Sequence, residues 1–433
     1  MKMKIVLIGA GSRSFGRGQI ADILQARELH GRGLRLVLVD RDEQALRRMD
    51  RVARRIAEHA GSNAVIEAAP DRRAALGGAD YVIVAVARRR YELWEQDFRI
   101  PLAYGFRHVL GENGGPGAVF HTLRSLQLMI PICRDVEQLC PKALLLNFTN
   151  PEMRVLHGVC RLTAVRAVGI CHGVFTALQK LSDYLRRPLE QLDVVSAGMN
   201  HFYCVLRALD RVTGEDLLPR AVAMAAGDEA ENLSPLFRHF ARIFGVFTFP
   251  SEDHIGEYVS FGSEFHGVRW PYGRESRGVP PADEPRPDAV GEYAAGRGPA
   301  DHPEILAPSG EQTVPIICDI ELDRGVVRPA VNVLNSEGYV ENLPRDGVVE
   351  VPGKVDAAGV HPLTVGAIPE AFAAVMRPHF AITSLLTEAY RTGSKKLLLQ
   401  ALLLDPCVDS VVRAEKMLDE MLVLQSDFLP AFS

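Results

Sequence analysis

Lys4-Ile5-Val6-Leu7-Ile8-Gly9-Ala10-Gly11-Ser12 decides the fold. A short, largely β-branched apolar run that stops on glycine is the pattern of a buried parallel strand. Beyond it, Phe15-Gly16 leads into a segment with Ile20, Ile23 and Leu24 on one helical face. Glycines let the backbone approach a pyrophosphate, and the first turn of the following helix offers it free N–H groups. Ser14 stands where G-x-G-x-x-G would have its third glycine, and a glycine pair alone is also what any tight turn uses.

Asp40 supplies the second half of the argument. Leu34–Val39 is another apolar strand, closed by Asp40 about 30 residues beyond the glycines. A carboxylate there accepts from both ribose hydroxyls and repels a 2′-phosphate, which favours NAD over NADP, although Arg41 beside it weakens the discrimination. Tyr81–Val86, Ala143–Leu146 and Ala167–Ile170 are further buried strands. Helical sequence lies between them, notably up to Ala60 and over His121–Leu139. Alternation of this kind predicts an α/β chain with a Rossmann-like, doubly wound parallel sheet over residues 1–190. Past 190 the texture changes. Val194–Leu206, Val326–Val333 and Val348–Val351 read as strands of a mixed sheet, and Phe380–Leu424 as helices broken near Pro406. Residues 191–433 are therefore expected to form an α+β domain with C-terminal helices. Trp270–Pro308, rich in Gly, Pro and charge, is expected to be an irregular lid, interface loop or disordered segment.

At 433 residues the chain is long enough for two domains. A net charge of −5, with basic and acidic residues interspersed, gives no field to recruit nucleic acid or an anionic membrane. Seven scattered cysteines form no disulfide framework. The start of the chain reaches Gly9 too soon for a signal peptide, and no apolar run approaches the roughly 20 residues of a spanning helix. These features predict a soluble, cytoplasmic protein whose partners are small molecules.

Cys171-His172-Gly173 follows the strand Ala167–Ile170, at the carboxyl edge where open α/β sheets bind ligands. Asn200-His201 comes about 30 residues later. A cysteine and a histidine from two domains can close on one ion, but buried free cysteines and lone histidines are common, and this spacing alone carries little weight. Arg88-Arg89-Arg90 emerges at the same edge after Tyr81–Val86. An arginine there can clamp a carboxylate or a phosphate bidentately, and a solvated charge run is the plain alternative.

Other segments complete the pattern: Tyr104-Gly105, Gly111-Glu112-Asn113-Gly114-Gly115-Pro116-Gly117 before Leu123-Arg124, Asn147-Phe148-Thr149-Asn150-Pro151, Glu257-Tyr258 and Asn342-Leu343-Pro344. Over nearly its whole length the chain resembles glycoside hydrolase family 4, the NAD- and divalent-metal-dependent glycosidases. The resemblance implies a redox elimination route in place of the two-carboxylate scheme. NAD⁺ takes hydride from sugar carbon 3, a base removes the carbon-2 proton, and a metal, usually Mn²⁺, stabilises the resulting charge. The aglycone then leaves, water adds and hydride returns.

Residue by residue, the resemblance implies Gly9, Gly11, Ser12, Phe15, Asp40 and Asn147 at the dinucleotide and Cys171 and His201 as metal ligands. It implies Asn150 at the sugar, Tyr258 as the base and His172 as the acid at the leaving group; Asn113, and Arg88 from the arginine run at the sheet edge, are further candidates for the sugar. A phenol ionises near pH 10, so such a base needs a cation nearby. The plain alternatives are a half-buried packing tyrosine and a histidine that only orients a neighbour. A Cys-His pair is similar to the members acting on unphosphorylated sugars. Trp94-Glu95-Gln96-Asp97-Phe98 with the glycine-rich loop looks most like the α-galacturonidase branch. The expected substrate is an α-uronide, galacturonide or glucuronide, with an α-galactoside or α-glucoside as alternative. A hydroxy-acid NAD dehydrogenase or a dinucleotide sensor is the reading from a different class. The resemblance further implies a homodimer or homotetramer.

Overall fold

The computed structural model describes residues 3–227, 233–248, 251–270, 288–298 and 300–433. In chain order its strands are β1 (Lys4–Ile8), β2 (Arg35–Val39), β3 (Val65–Ala69), β4 (Tyr81–Val84), β5 (Leu144–Asn147) and β6 (Arg166–Gly169). There follow β7 (Leu192–Met199), β8 (Phe202–Asp210), β9 (Val326–Leu334), β10 (Val348–Asp356) and β11 (Gly359–Pro362). All join one sheet in the order β3-β2-β1-β4-β5-β6-β9-β10-β7-β8, with β11 paired to β10. The first six run parallel, and every pairing beyond β6 is antiparallel.

The parallel half has the 3-2-1-4-5-6 order of a doubly wound fold, whose crevice opens where the order reverses between β1 and β4. Strand residues alternate between the two faces. Ile5, Leu7, Leu36 and Ile83 enter one apolar layer with the helix Phe15–Gln25. Val6, Val37 and Val82 enter the other with Met129 and Val136 of the helix Gly117–Leu139. Burial on both faces explains the unbroken apolar runs of β1, β4 and β5.

At the join the β6–β9 and β10–β7 ladders are single residue pairs, linked by the longer β9–β10 ladder. Gly169 of β6 pairs with Asn332 of β9, Asn332 with Glu350 of β10, and Glu350 with Gly198 of β7. One row of residues therefore crosses four strands at the join. A second tie lies on the far side. The buried Arg124 ion-pairs with Asp97 and donates to Gln425 Oε1 at 2.5 Å, fastening the C-terminal helices to the first half.

Several boundaries depart from expectation. Val194–Leu206 is not one strand: β7 and β8 form a hairpin whose tight turn is Asn200-His201. The helix expected from His121 begins at Gly117, and the C-terminal helices are Glu370–Thr392, Lys395–Leu404 and Val411–Leu424. β3 escaped detection because it is an edge strand with Val65 exposed and only Ile66 fully buried. Within the stretch expected to be irregular, Ala289–Ala294 is a helix and Pro303–Ile305 a short turn, while residues 271–287 and 299 lie outside the described residues. Among the described residues no helix is long and apolar enough to cross a membrane.

Candidate active site

At the switch point, β1 ends in a turn built from backbone. Gly9 and Ala10 both donate to Val39 O, at 2.9 and 3.1 Å. Gly9 has φ +91°, and a Cβ there would lie 2.0 Å from Ala85 O, so no other residue fits. Ser12 Oγ accepts from Phe15 N–H at 3.2 Å, and the Phe15 ring tilts against Phe148 at 4.7 Å. Asp40 braces the turn: Oδ2 accepts from Gly11 N–H at 2.8 Å and Oδ1 from Asp42 N–H at 3.0 Å. Each carboxylate oxygen retains a second lone pair, so a ribose hydroxyl can still be accepted there. Gly9, Gly11, Ser12, Phe15 and Asp40 thus stand together, in a form that fits a dinucleotide at a helix N-terminus. Asn147 does not join them. It is wholly buried and its Oδ1 accepts from Thr149 N–H at 3.0 Å, so it shapes the turn that carries Asn150.

Cys171 and His201 do converge. Sγ and Nε2 are 3.3 Å apart, although 30 residues separate them in the chain. Gly173 N–H points at the sulfur from 3.4 Å. His201 reaches it from the β7–β8 turn with φ +63°, a left-handed conformation that is uncommon outside glycine. Burial, reinforced by Glu350, holds the Cys171 thiol far above its ordinary range, against the bonds from Asn200 and Gly173. Burial, with His254 and His172 nearby, pushes His201 well down, leaving a neutral imidazole with a lone pair. A cation would ionise the thiol and occupy that lone pair, so the donor chemistry fits a divalent metal. Among the described residues no group of three or more His, Cys, Asp or Glu side chains is arranged to hold a metal ion. Two protein donors fall short of a closed structural site.

Tyr258 lies on a short turn, Gly256–Tyr258, and is buried. Its O–H donates to Asn200 O at 3.2 Å, one residue from His201. Its ring stacks on Phe202 at 5.4 Å, meets His379 edge-on at 5.1 Å, and its carbonyl accepts from His379 Nε2 at 2.8 Å. Burial pushes the phenol well up. Glu257, Cys171 and Glu112 push the same way, and Arg154 pulls it down.

Around it lies a group of buried acids that sequence reasoning missed. Glu257 accepts from the N–H groups of Glu112 (2.6 Å) and Asn113 (3.0 Å). Burial and then Glu112 lift its carboxyl to about 8. The 111–117 loop can wrap Glu257 this closely because Gly114 has no side chain; a Cβ there would lie 2.4 Å from Glu257 O. Glu112 Oε1 in turn accepts from Asn150 Nδ2 at 3.3 Å and Arg90 Nη2 at 3.1 Å. Glu350 accepts from Asn200 and Asn332, both at 3.2 Å, and burial raises it to about 7. The only hint in the sequence was that Glu112 and Glu257 sit inside motifs quoted for other residues.

The sugar-side expectations divide. Asn150 stands in this group through Glu112. Asn113 is buried, its amide 3.4 Å from Glu257 Oε2, and is turned toward that carboxyl. Arg88 is exposed, with its guanidinium 5.9 Å from the Phe428 ring; Arg90 is the arginine that reaches Glu112. The chain enters the helix Arg90–Ala103 through Arg89 at φ +44°, which swings neighbouring arginines to different sides. His172 is 64% exposed in its side chain and pairs with Glu311 at 3.0 Å, a bond that raises its pKa. His254, bonded to Asp253 at 2.9 Å, tilts against His201 with ring centres 4.4 Å apart.

A dinucleotide-type parallel sheet, joined at its carboxyl edge to a thiol–imidazole pair and a buried tyrosine, defines a class of redox-competent α/β enzymes. Residues 4–187 match the model of the family 4 glycosyl hydrolases and 196–408 that of the family's C-terminal domain. An α-glucosidase of Erwinia rhapontici is 30% identical over 99% of both chains, and an α-galactosidase of Rhizobium meliloti 30% identical over 99% of this chain and 90% of its own. A 6-phospho-β-glucosidase of Thermotoga maritima, solved with manganese, NAD⁺ and glucose-6-phosphate, has the same fold, with TM-score 0.82 at 23% identity over 99% of this chain and 100% of its own. The chain belongs to family 4 of the glycosyl hydrolases, and it is a glycosidase.

Proposed function

We propose that the protein is an NAD- and Mn²⁺-dependent glycosidase that cleaves an unphosphorylated α-hexoside by its family's redox elimination route. The observation that carries this is the 3.3 Å approach of Cys171 Sγ to His201 Nε2, one residue from the carbonyl that Tyr258 holds. NAD, bound at the glycine turn, supplies a hydride acceptor, and Mn²⁺, held by Cys171 and His201, supplies a Lewis acid. The chain's own residues do the rest. Gly9, Gly11 and the first turn of Phe15–Gln25 bind the pyrophosphate, and Asp40 the ribose. Asn150, steadied by Glu112, orients sugar hydroxyls. Tyr258 takes the carbon-2 proton. His172, at the rim with Glu311, gives a proton to the departing aglycone.

Two observations favour a neutral sugar, glucoside or galactoside, over the uronide. Arg88 is exposed and lies over the Phe428 ring, and Arg90, which reaches Glu112, is already paired with it. The glucosidase and galactosidase relatives are also more similar than an α-galacturonidase of Lachnoclostridium phytofermentans, at 25% identity over 99% of this chain and 97% of its own. An α-uronide is the second reading, supported by that galacturonidase relative. A panel of nitrophenyl α-glucoside, α-galactoside, α-galacturonide and 6-phosphoglucoside, assayed with NAD⁺, Mn²⁺ and thiol, separates these. Turnover of the uronide alone selects the second reading, and turnover of the phosphorylated sugar alone removes both. Consumption of NAD⁺ in proportion to product marks a dehydrogenase instead.

A further inference from the structure

Arg154 is a charge without an evident partner. It sits in the first turn of the helix Glu152–Leu162, directly after Asn150-Pro151. Its exposure is 0%, and Nε, Nη1 and Nη2 all lack a hydrogen-bond partner among the described residues. The equally sequestered Arg124 shows what a structural arginine does in this chain: it pairs with Asp97 and bonds Gln425. Leaving a guanidinium buried and unmatched is costly, so the fold keeps it for something that becomes negative.

Its surroundings identify that group. Met153 and Leu156, on either side of it, pack in the same apolar cluster as Tyr258 and Phe202. One turn on, His157 Nδ1 lies 2.7 Å from Thr387 Oγ1 of the helix Glu370–Thr392. That same helix supplies His379 to the ring and carbonyl of Tyr258. Three elements thus close on the tyrosine, and Arg154 is carried in among them. The charged groups in range of Arg154 are Asp405, Tyr258 and Glu257. Asp405 is buried too; Oδ1 accepts from Cys407 N–H at 3.0 Å while Oδ2 has no partner among the described residues.

We propose that Arg154 is a positioning residue that supplies the fixed counter-charge of the Tyr258 phenolate, acting on the carbon-2 proton through Tyr258 without touching the sugar. The proposal rests on Tyr258 being the base. Of the titratable groups facing the phenol, Glu257 from its own turn, Glu112 from the 111–117 loop and Cys171 from the end of β6 all oppose ionisation. His379 is held neutral, since burial takes it down to about 3. Arg154 alone among these groups favours the phenolate. Asp405 competes with the phenolate for the same guanidinium.

The test uses holoenzyme loaded with NAD⁺, with diamagnetic Mg²⁺ in place of Mn²⁺ for the ionisation measurement, and labelled with carbon-13 at the tyrosine phenol carbon, the Tyr258 signal being assigned by its loss in Y258F. Ionisation of that signal is followed against pH beside carbon-2 deuterium exchange. R154M is expected to move the ionisation up by about one pH unit or more and to slow exchange at neutral pH about ten-fold, with KM for the nitrophenyl α-glucoside little changed. R154K restores most of both, and D405N moves the ionisation the opposite way, downward. Ionisation unmoved in a folded R154M, or moved upward in D405N, overturns the proposal. A rise in KM confined to anionic glycosides with the ionisation unmoved also overturns it, and makes Arg154 a ligand for a substrate carboxylate. Where R154M does not fold, R154K and D405N decide. Exchange that survives in Y258F removes the base reading and with it Arg154's part in the carbon-2 step, while the ionisation shift still judges separately whether Arg154 is the counter-charge of Tyr258.

Discussion

At the glycine turn, contacts run between the ends of adjacent strands, and most are made by backbone: Gly9 and Ala10 to Val39, Ser12 to Gly9, Gly11 to Asp40. Around Tyr258 the contributors come from distant segments, among them Glu112, Arg154, Asn200, Glu257, His379 and Asp405. Several of the polar atoms buried there, on Arg154, Asp405 and Glu350, have no partner among the described residues. The first region is cheap to build and hard to perturb through side chains. The second holds charges out of water at the expense of stability, which is the expected character of a place where protons move.

Mutations should expose that contrast. The largest expected effect is Y258F, which removes a general base and should cut turnover about 10²–10⁴-fold while thermal stability barely moves; carbon-2 deuterium exchange is the readout. C171A and H201A should follow at about 10²–10³-fold, the value of several kcal/mol of Lewis-acid stabilisation, with Mn²⁺ binding lost by calorimetry. G9A should act on the other region in the opposite sense. It forces a Cβ against Ala85 O and should cost stability by about 1–3 kcal/mol, measured by denaturant unfolding, in protein without substrate. The contrast fails if Y258F destabilises more than G9A.

The smallest effect is a pH slope. Burial lifts Glu257 to about 8 and Glu350 to about 7 in the folded chain, from an ordinary 4.5. Between those limits the folded state binds protons that the unfolded state has released, so the share of stability these two carboxyls contribute falls as pH rises from about 4.5 to 8. The melting temperature of metal-free protein should drop by roughly a degree or more from pH 7 to 8.5, above the range in which the buried neutral histidines, His201 and His379 among them, differ in charge from the unfolded chain's. E257Q should flatten the slope. A melting temperature that rises with pH over that range contradicts the assignment.

The same contrast explains what could be read from the residues alone. β1, β2, β4, β5 and the glycine turn are local patterns, an apolar run followed by a particular punctuation, and they lie where expected. Cys171 and His201 meet across 30 residues because a hairpin turns at Asn200-His201. No spacing rule announces that turn; family resemblance pointed to the two residues without it. Arg154 sits in Glu152-Met153-Arg154-Val155-Leu156, where a buried arginine reads like any solvated one. Three consecutive arginines at 88–90 could not be ranked, since the left-handed Arg89 decides which of them turns toward Glu112. Burial of charge is a property of the assembled interior and leaves no periodic mark on the chain.

The join in the sheet bears on how the protein can be cut. The two family models meet between residues 187 and 196, where β6 gives way to β7, yet in space β9 and β10 lie between those strands. A fragment ending near 190 would bare the flank of β6, and the complementary fragment would bare β9. Each would present unpaired backbone to any neighbouring polypeptide. Neither piece should survive alone in dilute buffer, whereas mixing them during refolding should rescue both.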